Sequence, residues 1–307
     1  MQVIFNADDF GRSSEINRAV VLAHREGILT SASLMVTGDA LEEAVALAQT
    51  APTLAVGLHL VLSDGRPASP PEEVPHLLGG GERFPANPAR VWIQYMFSVA
   101  ARAEMAREVR AQFEGFAATG LSLDHVDAHQ HIHMHPAVFN ALLPLARQYG
   151  ARGVRLPRDD FGLAMRYDRR DPAVKAVWAT VFGILCRRYA GDAVSAAARC
   201  LDSLAVAPGQ VSAARGLAVA DRVYGLMQSG RMEEAYVLRV LARAPGTYPA
   251  RNATVVELYF HPATASESEP LGSNPGDLAT LLSPAVRRAV EVGGWVRASY
   301  ATLKEAR

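Results

Sequence analysis

The densest group of possible metal ligands in the sequence is the segment Asp124–His135, which holds five of the nine histidines and two aspartates. Residues at every second position of this segment, from His125 onward, project from one face wherever the chain is extended. Pro136 favours the first turn of a helix, so we expect the early members at a strand end and the later ones in a loop. Imidazole and carboxylate ligands suit Zn²⁺, Mn²⁺, Co²⁺ or Mg²⁺. The segment predicts a metal site, with a solvated histidine cluster as the alternative.

Two adjacent carboxylates, Asp8 and Asp9, follow the apolar run Val3–Phe5. In parallel α/β folds, active sites lie where strands end, which is where this pair is expected. Adjacent side chains on an extended chain point in opposite directions, so one carboxylate can bind a metal while the other acts as a base. The alternative is a solvated turn in which one aspartate caps a helix.

Three further residues lie in or after predicted strands. Each indicates a functional site only if other candidate residues lie beside it in the fold. His59 lies within a strand-like apolar run, where a histidine hydrogen-bonded to the backbone is the ordinary interpretation. His261 ends another apolar run and would open onto the same edge of a parallel sheet. Arg155 also ends a predicted strand, where an ion pair with a carboxylate is the usual role of an arginine. All three are candidates for a site shared with the aspartate pair.

Short apolar runs alternate with helical patterns along the chain. The predicted strands lie at 3–5, 31–37, 54–62, 121–126, 153–157 and 254–260, and the predicted helices at 14–26, 41–49, 102–118 and 136–148. This alternation favours an α/β fold with a parallel sheet, either a barrel or a doubly wound sheet. We predict a single domain over residues 1–307. It would carry a functional loop at 63–90, with a disordered excursion as the alternative, and a helical insertion at about 171–244.

Composition and charge narrow the class of protein. Half of the residues are hydrophobic and one fifth are charged, which is typical of globular proteins. Basic and acidic residues number 31 each, and this zero net charge gives no reason to expect nucleic acid as a partner. The two cysteines, Cys186 and Cys200, form no disulfide framework. Because neither a signal peptide nor an apolar run of ~18 residues is evident, we predict a cytoplasmic protein.

Four motifs, taken in order along the chain, resemble those of the YdjC-like carbohydrate deacetylases. They are NADDFG at 6–11, GLHLVL at 57–62, HVDAHQHIH at 125–133 and FHP at 260–262. The resemblance covers the amino-terminal half and the last predicted strand. It implies a distorted (β/α) barrel of the polysaccharide-deacetylase type, and a metal-dependent removal of the acetyl group from N-acetylated sugars.

The same resemblance implies a role for each motif residue. One divalent metal ion would be bound, either Mg²⁺ or Zn²⁺, with Mn²⁺ and Co²⁺ as alternatives. Its ligands would be Asp9, His59 and His129. The general base would be Asp8 and the general acid His261, while Arg155 would orient the catalytic aspartate.

Three other members of the histidine-rich segment are expected near the metal without binding it. Asp127 shares a strand face with His129 and is expected to fix the tautomer of an imidazole. His131 and His133 are expected to contact substrate or to line the mouth of the site.

The carboxyl half of the chain resembles the branch of this family associated with hopanoid biosynthesis, through YGLMQSG at 224–230 and VELYFHPA at 256–263. That resemblance implies an N-acetylglucosaminyl hopanoid lipid as substrate. Soluble chitooligosaccharides are an alternative substrate. Another metal hydrolase, such as a phosphoesterase, and a non-catalytic binding protein stabilised by metal are the alternatives in other functional classes.

An unbroken apolar run, Val177–Leu185, is too short to span a membrane and is followed by Arg187 and Arg188. Lys and Arg outnumber Asp and Glu by nine to four between Arg152 and Arg188. A helix of this kind can lie on a membrane surface. We predict a peripheral contact of residues 172–188 with the inner face of the membrane. A buried helix of the insertion or a dimer contact are the alternatives, and a homodimer is expected.

Overall fold

A parallel sheet organises the computed structural model, which describes residues 1–200, 216–247, 255–266 and 272–303. The strands are β1 (Gln2–Phe10), β2 (Ser31–Leu34), β3 (Ala55–Leu60), β4 (Leu123–Ala128), β5 (Gly153–Val154), β6 (Arg222–Tyr224), β7 (Val255–Phe260) and β8 (Val296–Arg297). Seven of them follow the order β5-β4-β3-β2-β1-β7-β6, and β8 pairs with β1. Every pairing is parallel, so the carboxyl ends of the long strands meet at one edge of the sheet.

Helices connect the strands and pack against the sheet. They are α1 (Ser14–Glu26), α2 (Leu41–Gln49), α3 (Pro75–Leu78), α4 (Pro88–Phe97), α5 (Val99–Ala118), α6 (Pro136–Gln148), α7 (Phe161–Tyr167), α8 (Pro172–Cys200), α9 (Glu234–Thr247), α10 (Pro275–Leu282) and α11 (Pro284–Val292). The Ser13 hydroxyl accepts a hydrogen bond from the Ile16 N–H and so caps α1. Proline occupies the first turn of α4, α6, α10 and α11, where its missing N–H costs no helical hydrogen bond.

The two edge strands of the sheet are linked by main-chain hydrogen bonds. The N–H of Val154 donates to the carbonyl of Ala218, and the N–H of Ala218 donates to the carbonyl of Arg152. Val223 in β6 also donates to the carbonyl of Arg158, just after β5. Because these bonds join opposite edges, the sheet curls into a distorted half-barrel. The α/β barrel predicted from the sequence is confirmed.

Several elements differ from their predicted bounds. β1 extends over nine buried residues, whereas only Val3–Phe5 was predicted as strand. The loop predicted at 63–90 contains a short 3-10 turn at Pro71–Glu73 and the helix α3, and it ends at the start of α4. The insertion predicted at 171–244 contains α8 and most of α9, but also β6, which is too short to show in the sequence pattern. Within it, residues 201–215 lie outside the described residues.

Gly57 in β3 leaves room for a buried imidazole. A Cβ atom at this position would lie 2.5 Å from Cε1 of His125, whose Nε2 is 3.0 Å from the Ser33 hydroxyl. We expect Gly57→Ala to lower the free energy of unfolding by about 1–3 kcal/mol, since a core residue must shift. Gly183→Ala in α8 is the control: a Cβ there has open space, and alanine should stabilise the helix by about 0.5–1 kcal/mol. Urea unfolding measures both, and an unchanged midpoint for Gly57→Ala would contradict the close packing.

Candidate metal centre and active site

Side chains from five strand ends converge at the carboxyl edge of the sheet. β1 supplies Asp8 and Asp9, β3 supplies His59, and β4 with the turn after it supplies Asp127 and His129. Arg155 follows β5, and His261 follows β7. The structure therefore brings together, on one floor, every residue to which the motif resemblance gave a catalytic or ligand role.

The end of β1 is irregular, and this irregularity separates the two carboxylates. The pairing register with β2 shifts between Ala7 and Phe10, and Asp9 adopts a φ of 64°. A left-handed conformation is uncommon for a residue with a side chain, and such residues cluster at functional sites. The two adjacent aspartates are both buried, yet they meet different partners.

Asp9 lies between two imidazoles. Its Oδ1 is 3.1 Å from Nδ1 of His129 and 3.4 Å from Nε2 of His59. Burial raises the pKa of Asp9, but the two histidines outweigh this and hold it well below its ordinary value. The carboxylate is therefore charged at neutral pH.

These three residues fit a divalent metal ion. One ligand atom from each lies within 4.8 Å of the other two, and all three residues are buried. Nε2 of His129 is buried without a hydrogen-bond partner, which leaves a donor atom for an ion. One carboxylate and two imidazoles are a ligand set common to Zn²⁺ and other borderline divalent ions. Asp9, His59 and His129 can therefore hold one metal ion.

Asp127 orients His59. Its Oδ1 accepts a hydrogen bond of 2.7 Å from Nδ1 of His59, and its Oδ2 accepts one of 2.9 Å from the Ser33 hydroxyl. Burial lowers the pKa of His59, but the Asp127 carboxylate outweighs it and the pKa rises to about 10. The hydrogen bond to Asp127 keeps a proton on Nδ1, so Nε2 is the nitrogen that faces Asp9 and that would bind a metal ion in exchange for its own proton. The imidazole that Asp127 fixes is thus His59, on the neighbouring strand β3, and not His129 in the turn after β4.

A second group of three ligand atoms, from Asp8, His59 and Asp127, also lies within 4.8 Å. The guanidinium of Arg155 occupies the space beside these carboxylates: it lies 2.8 Å from Asp8 and 2.6 Å from Asp127. A protein cation already neutralises this group, so it does not suit a second metal ion.

Arg155 is fully buried and pairs with three carboxylates. Its two terminal nitrogens each donate a 2.8 Å hydrogen bond to Asp8, which is the bidentate geometry that arginine forms best. Its Nε donates to Oε1 of Glu257 at 2.8 Å, and its guanidinium carbon lies 4.7 Å from the ring centroid of Tyr259. Burial lowers the pKa of Arg155, but the carboxylates raise it well above its ordinary value, so the charge is permanent. Asp8 is held rigidly in place as a result.

His261 lies close to Asp8. Its Nε2 is 4.0 Å from Oδ2 of Asp8, and its Nδ1 is buried without a hydrogen-bond partner. Its main-chain N–H donates to Asp277 at 2.9 Å, which fixes the residue at the end of β7. The imidazole is thus held at the site by its backbone and keeps both ring nitrogens available.

The alternation that places every second residue of the histidine-rich segment on one face ends at Ala128, the last residue of β4. A 3-10 turn spans His129–Met134, and Gln130 and His131 adopt φ values of 51° and 53°. His131 lines the site cavity and lies 2.9 Å from the hydroxyl of Tyr259. Burial lowers its pKa well below the ordinary value, so the imidazole is neutral.

His133 does not line the cavity, so of the roles expected for it only the support of a neighbouring site residue remains. It is fully buried, and its Nε2 donates a 2.9 Å hydrogen bond to the carbonyl of Arg155. Burial lowers its pKa to about 4, so it is a neutral structural donor. His135 serves the helix that follows, since its Nδ1 accepts from the N–H of Ala137 and caps α6. The turn after β4 redirects these side chains away from the face that alternation predicts.

The site opens into a cavity of about 790 Å³ with two kinds of wall. The floor is polar and carries the aspartates and histidines described above. The far walls come from α4 and α8 and are apolar. The apolar lining residues from these two helices are Pro88, Ala89, Trp92, Val177, Trp178, Val181 and Phe182. A ligand in this cavity would contact charged side chains at one end and aliphatic and indole side chains at the other.

Two residues that belong to the site or support it, Glu257 and Asp64, were not predicted from the sequence. Glu257 in β7 is fully buried and accepts hydrogen bonds from Arg155 and from the Tyr300 hydroxyl, the latter at 2.7 Å. Asp64 lines the cavity, and its Oδ2 lies 3.9 Å from Nε2 of His129. One signal was present: Glu257 is the single charged residue of an otherwise apolar strand, and such a charge requires a buried partner.

Comparison with known proteins places the chain in a family. Residues 2–292 match the family model described as YdjC-like protein. A carbohydrate deacetylase from Brevibacillus brevis (strain 47) is 48% identical over 149 residues, which is 48% of this chain and 57% of that protein. A chitooligosaccharide deacetylase from Enterobacter sp. (strain 638) is 39% identical over 171 residues, 55% of this chain and 60% of that protein. The chain thus matches less than two thirds of the length of either relative.

A solved structure supports the fold along the whole chain. The protein from Enterococcus faecalis V583 superposes with a TM-score of 0.68 at 21% identity, covering 98% of both chains. At this identity the likeness shows the architecture alone. Because the family model extends over nearly the full length, this chain belongs to the YdjC-like protein family.

Proposed function

We propose that this protein is a metal-dependent hydrolase that removes the acetyl group from an N-acetylated sugar. The observation that carries the proposal is the placement of Asp8, which Arg155 holds in a bidentate pair beside the Asp9, His59 and His129 group. A fixed carboxylate next to a metal-ligand set, on the floor of a cavity, suits amide hydrolysis. The names of the two relatives, carbohydrate deacetylase and chitooligosaccharide deacetylase, support the same reaction class.

A divalent ion held by Asp9, His59 and His129 would polarise the amide carbonyl and lower the pKa of water. Asp8 serves as the general base: it faces the cavity and takes a proton from the attacking water. Arg155 keeps this carboxylate in position through its two hydrogen bonds. The left-handed backbone at Asp9 allows the two neighbouring aspartates to do these different tasks.

His261 serves as the general acid, with its Nε2 4.0 Å from Oδ2 of Asp8. It lines the cavity, and its backbone is fixed through Asp277. An amide nitrogen is a poor leaving group unless it is protonated as the C–N bond breaks. His261 donates that proton, so the products are acetate and the free amine of the sugar.

We further propose that the sugar is attached to a lipid, an N-acetylglucosaminyl hopanoid. The apolar wall formed by Trp92, Val177, Trp178, Val181 and Phe182 supports this substrate, since it would pack against a polycyclic hydrocarbon. A soluble chitooligosaccharide would fill the polar floor and leave this wall in water. In the described residues no helix is long and apolar enough to cross a membrane. The cytoplasmic location, the homodimer and the peripheral membrane contact predicted from the sequence stay predictions.

Acetate release by the purified protein tests the proposal. We expect chelation to abolish release and one equivalent of Zn²⁺, Mg²⁺, Mn²⁺ or Co²⁺ to restore it. Release from an N-acetylglucosaminyl hopanoid and not from N,N′-diacetylchitobiose would support the lipid substrate. Release from diacetylchitobiose alone would restrict the protein to soluble sugars. Absence of acetate from both, with one metal ion bound, would contradict the deacetylase, and a bound second metal ion would favour a phosphoesterase.

A further inference from the structure

Helix α4 carries an apolar stripe that begins in the cavity and continues into solvent. Ala89 and Trp92 line the cavity, while Ile93 and Met96 lie one turn further along the same face. Ile93 and Met96 are both exposed, and Phe97 at the end of α4 is 81% exposed. Val99, which begins α5, is 72% exposed. Large apolar side chains at this exposure, four within seven residues, mark a contact surface.

Helix α8 carries a second stripe of the same kind on another wall of the cavity. Its exposed members Val174, Val177, Trp178, Val181 and Ile184 have the spacing of one helix face. Val177, Trp178 and Val181 also line the cavity. The two stripes therefore flank one opening, and each is continuous with the apolar wall inside it.

The two helix segments that carry the stripes contain basic residues and no acidic ones. Residues 88–102 contain Arg90 and Arg102, and residues 172–191 contain Lys175, Arg187 and Arg188. Lys175 is buried and pairs with Asp168 at 3.4 Å, so the exposed charges of the α8 segment are Arg187 and Arg188. Arg102 lies at the apolar tip, since its Nη1 donates to the carbonyls of Tyr95 and Met96. The chain as a whole has zero net charge, so this excess is local.

We propose that these two stripes, together with the adjoining arginines, form a docking rim that inserts into an anionic lipid bilayer. Apolar helix faces bordered by arginine bind such interfaces through hydrocarbon burial and attraction to anionic headgroups. A second copy of this chain fits the rim less well, because a symmetric contact would bring the same arginines face to face without a carboxylate to pair with. This role of the docking rim rests on the proposed lipid substrate. A substrate held in the bilayer could enter the cavity through the rim without crossing water.

Co-sedimentation with vesicles tests the docking rim. The probes are phosphatidylcholine vesicles with and without phosphatidylglycerol, and we expect binding only to the anionic ones, weakened by salt. Phe97→Ser should lower the binding constant at least about tenfold, because a phenylalanine leaves the hydrocarbon. Arg187→Gln and Arg188→Gln should each lower it about fivefold. Val99→Ser is compared with Val292→Ser, a valine at the end of α11 that is 83% exposed and does not line the cavity.

Each of the following results either supports or overturns the docking rim. A loss of binding in Val99→Ser with no loss in Val292→Ser, both with wild-type thermal unfolding, supports the rim. Equal effects of the two substitutions, or a wild-type protein that binds no vesicle, would overturn it. A wild-type dimer that Phe97→Ser dissociates, without vesicle binding, would assign the face to a second copy. Acetate release from a water-soluble acetylated sugar is measured separately and should be unchanged in Phe97→Ser, so failure of the reaction and failure of docking are distinguishable.

Discussion

Asp9→Ala and His129→Ala are expected to lose bound metal and turnover together, whereas Asp8→Asn is expected to keep the metal and lose turnover. Asp9 contacts both imidazoles of the ligand group, so its removal takes away the only carboxylate among the three ligands. Asp8 lies outside that group and faces Arg155. Loss of a general base lowers the rate by about 10²–10⁴-fold.

Metal content by elemental analysis and acetate release from the same preparations measure this difference. Asp39→Asn is the control: this aspartate is exposed, with a 3.9 Å ion pair to Arg66, and its loss should alter neither quantity. Turnover retained by Asp8→Asn would remove the base assignment. Metal retained by Asp9→Ala would remove Asp9 from the ligand set.

Arg155→Leu is expected to lower the free energy of unfolding by about 3–5 kcal/mol, because three carboxylates would remain buried without their cation. These are Asp8, Asp127 and Glu257. Arg152→Leu is the matched control, an exposed arginine three residues earlier, and should change stability by no more than about 0.5 kcal/mol. Guanidinium unfolding of both variants gives the comparison. If Arg155→Leu does not fold, Glu257→Gln removes a single partner and should show a smaller loss of the same sign.

The stability difference between Arg155→Leu and the wild type should shrink as the pH falls. Burial raises the pKa of Asp127, but Arg155 and His59 outweigh it and hold the pKa well below its ordinary value. A carboxyl group with a lowered native pKa contributes stability above its unfolded pKa, near 4, and loses this contribution on acidification. The variant lacks the part of this contribution that Arg155 supplies, so it has less stability to lose on acidification. A difference that widened in acid would contradict the role of the ion cluster.

Asp8 and Asp9 could be placed at the site from the sequence because they follow a short apolar run, and the carboxyl ends of parallel strands must share an edge. His129 was expected in a metal site because of the density of ligand types around it, whereas His59 lies inside its apolar run and gained its ligand role only from the motif resemblance. The reasoning from strand ends also located His261. Residues that act at strand ends are predictable whenever the strands themselves are.

Glu257 and Tyr300 could not be placed in this way, because their roles depend on contacts between distant parts of the chain. The Tyr300 hydroxyl reaches Glu257, and its N–H donates to Asp124, far away in the sequence. The position of His133 could not be predicted for a different reason: the left-handed residues before it redirect the chain, and no propensity rule places two such residues at Gln130 and His131.

The position of β1 at the centre of the sheet has a consequence for folding during synthesis. Gln2 in this strand pairs with Val255 in β7 and with Val296 in β8, so its partners are roughly 250 residues away. At about 5–20 residues per second, the ribosome delivers those partners tens of seconds after β1 has emerged. Pairings at such separation also close slowly, because loop entropy must be lost before any contact forms. The catalytic floor is consequently among the last parts of the molecule to assemble, because β2 can pair with one edge of β1 early while the edge that receives β7 stays unpaired until the end of synthesis.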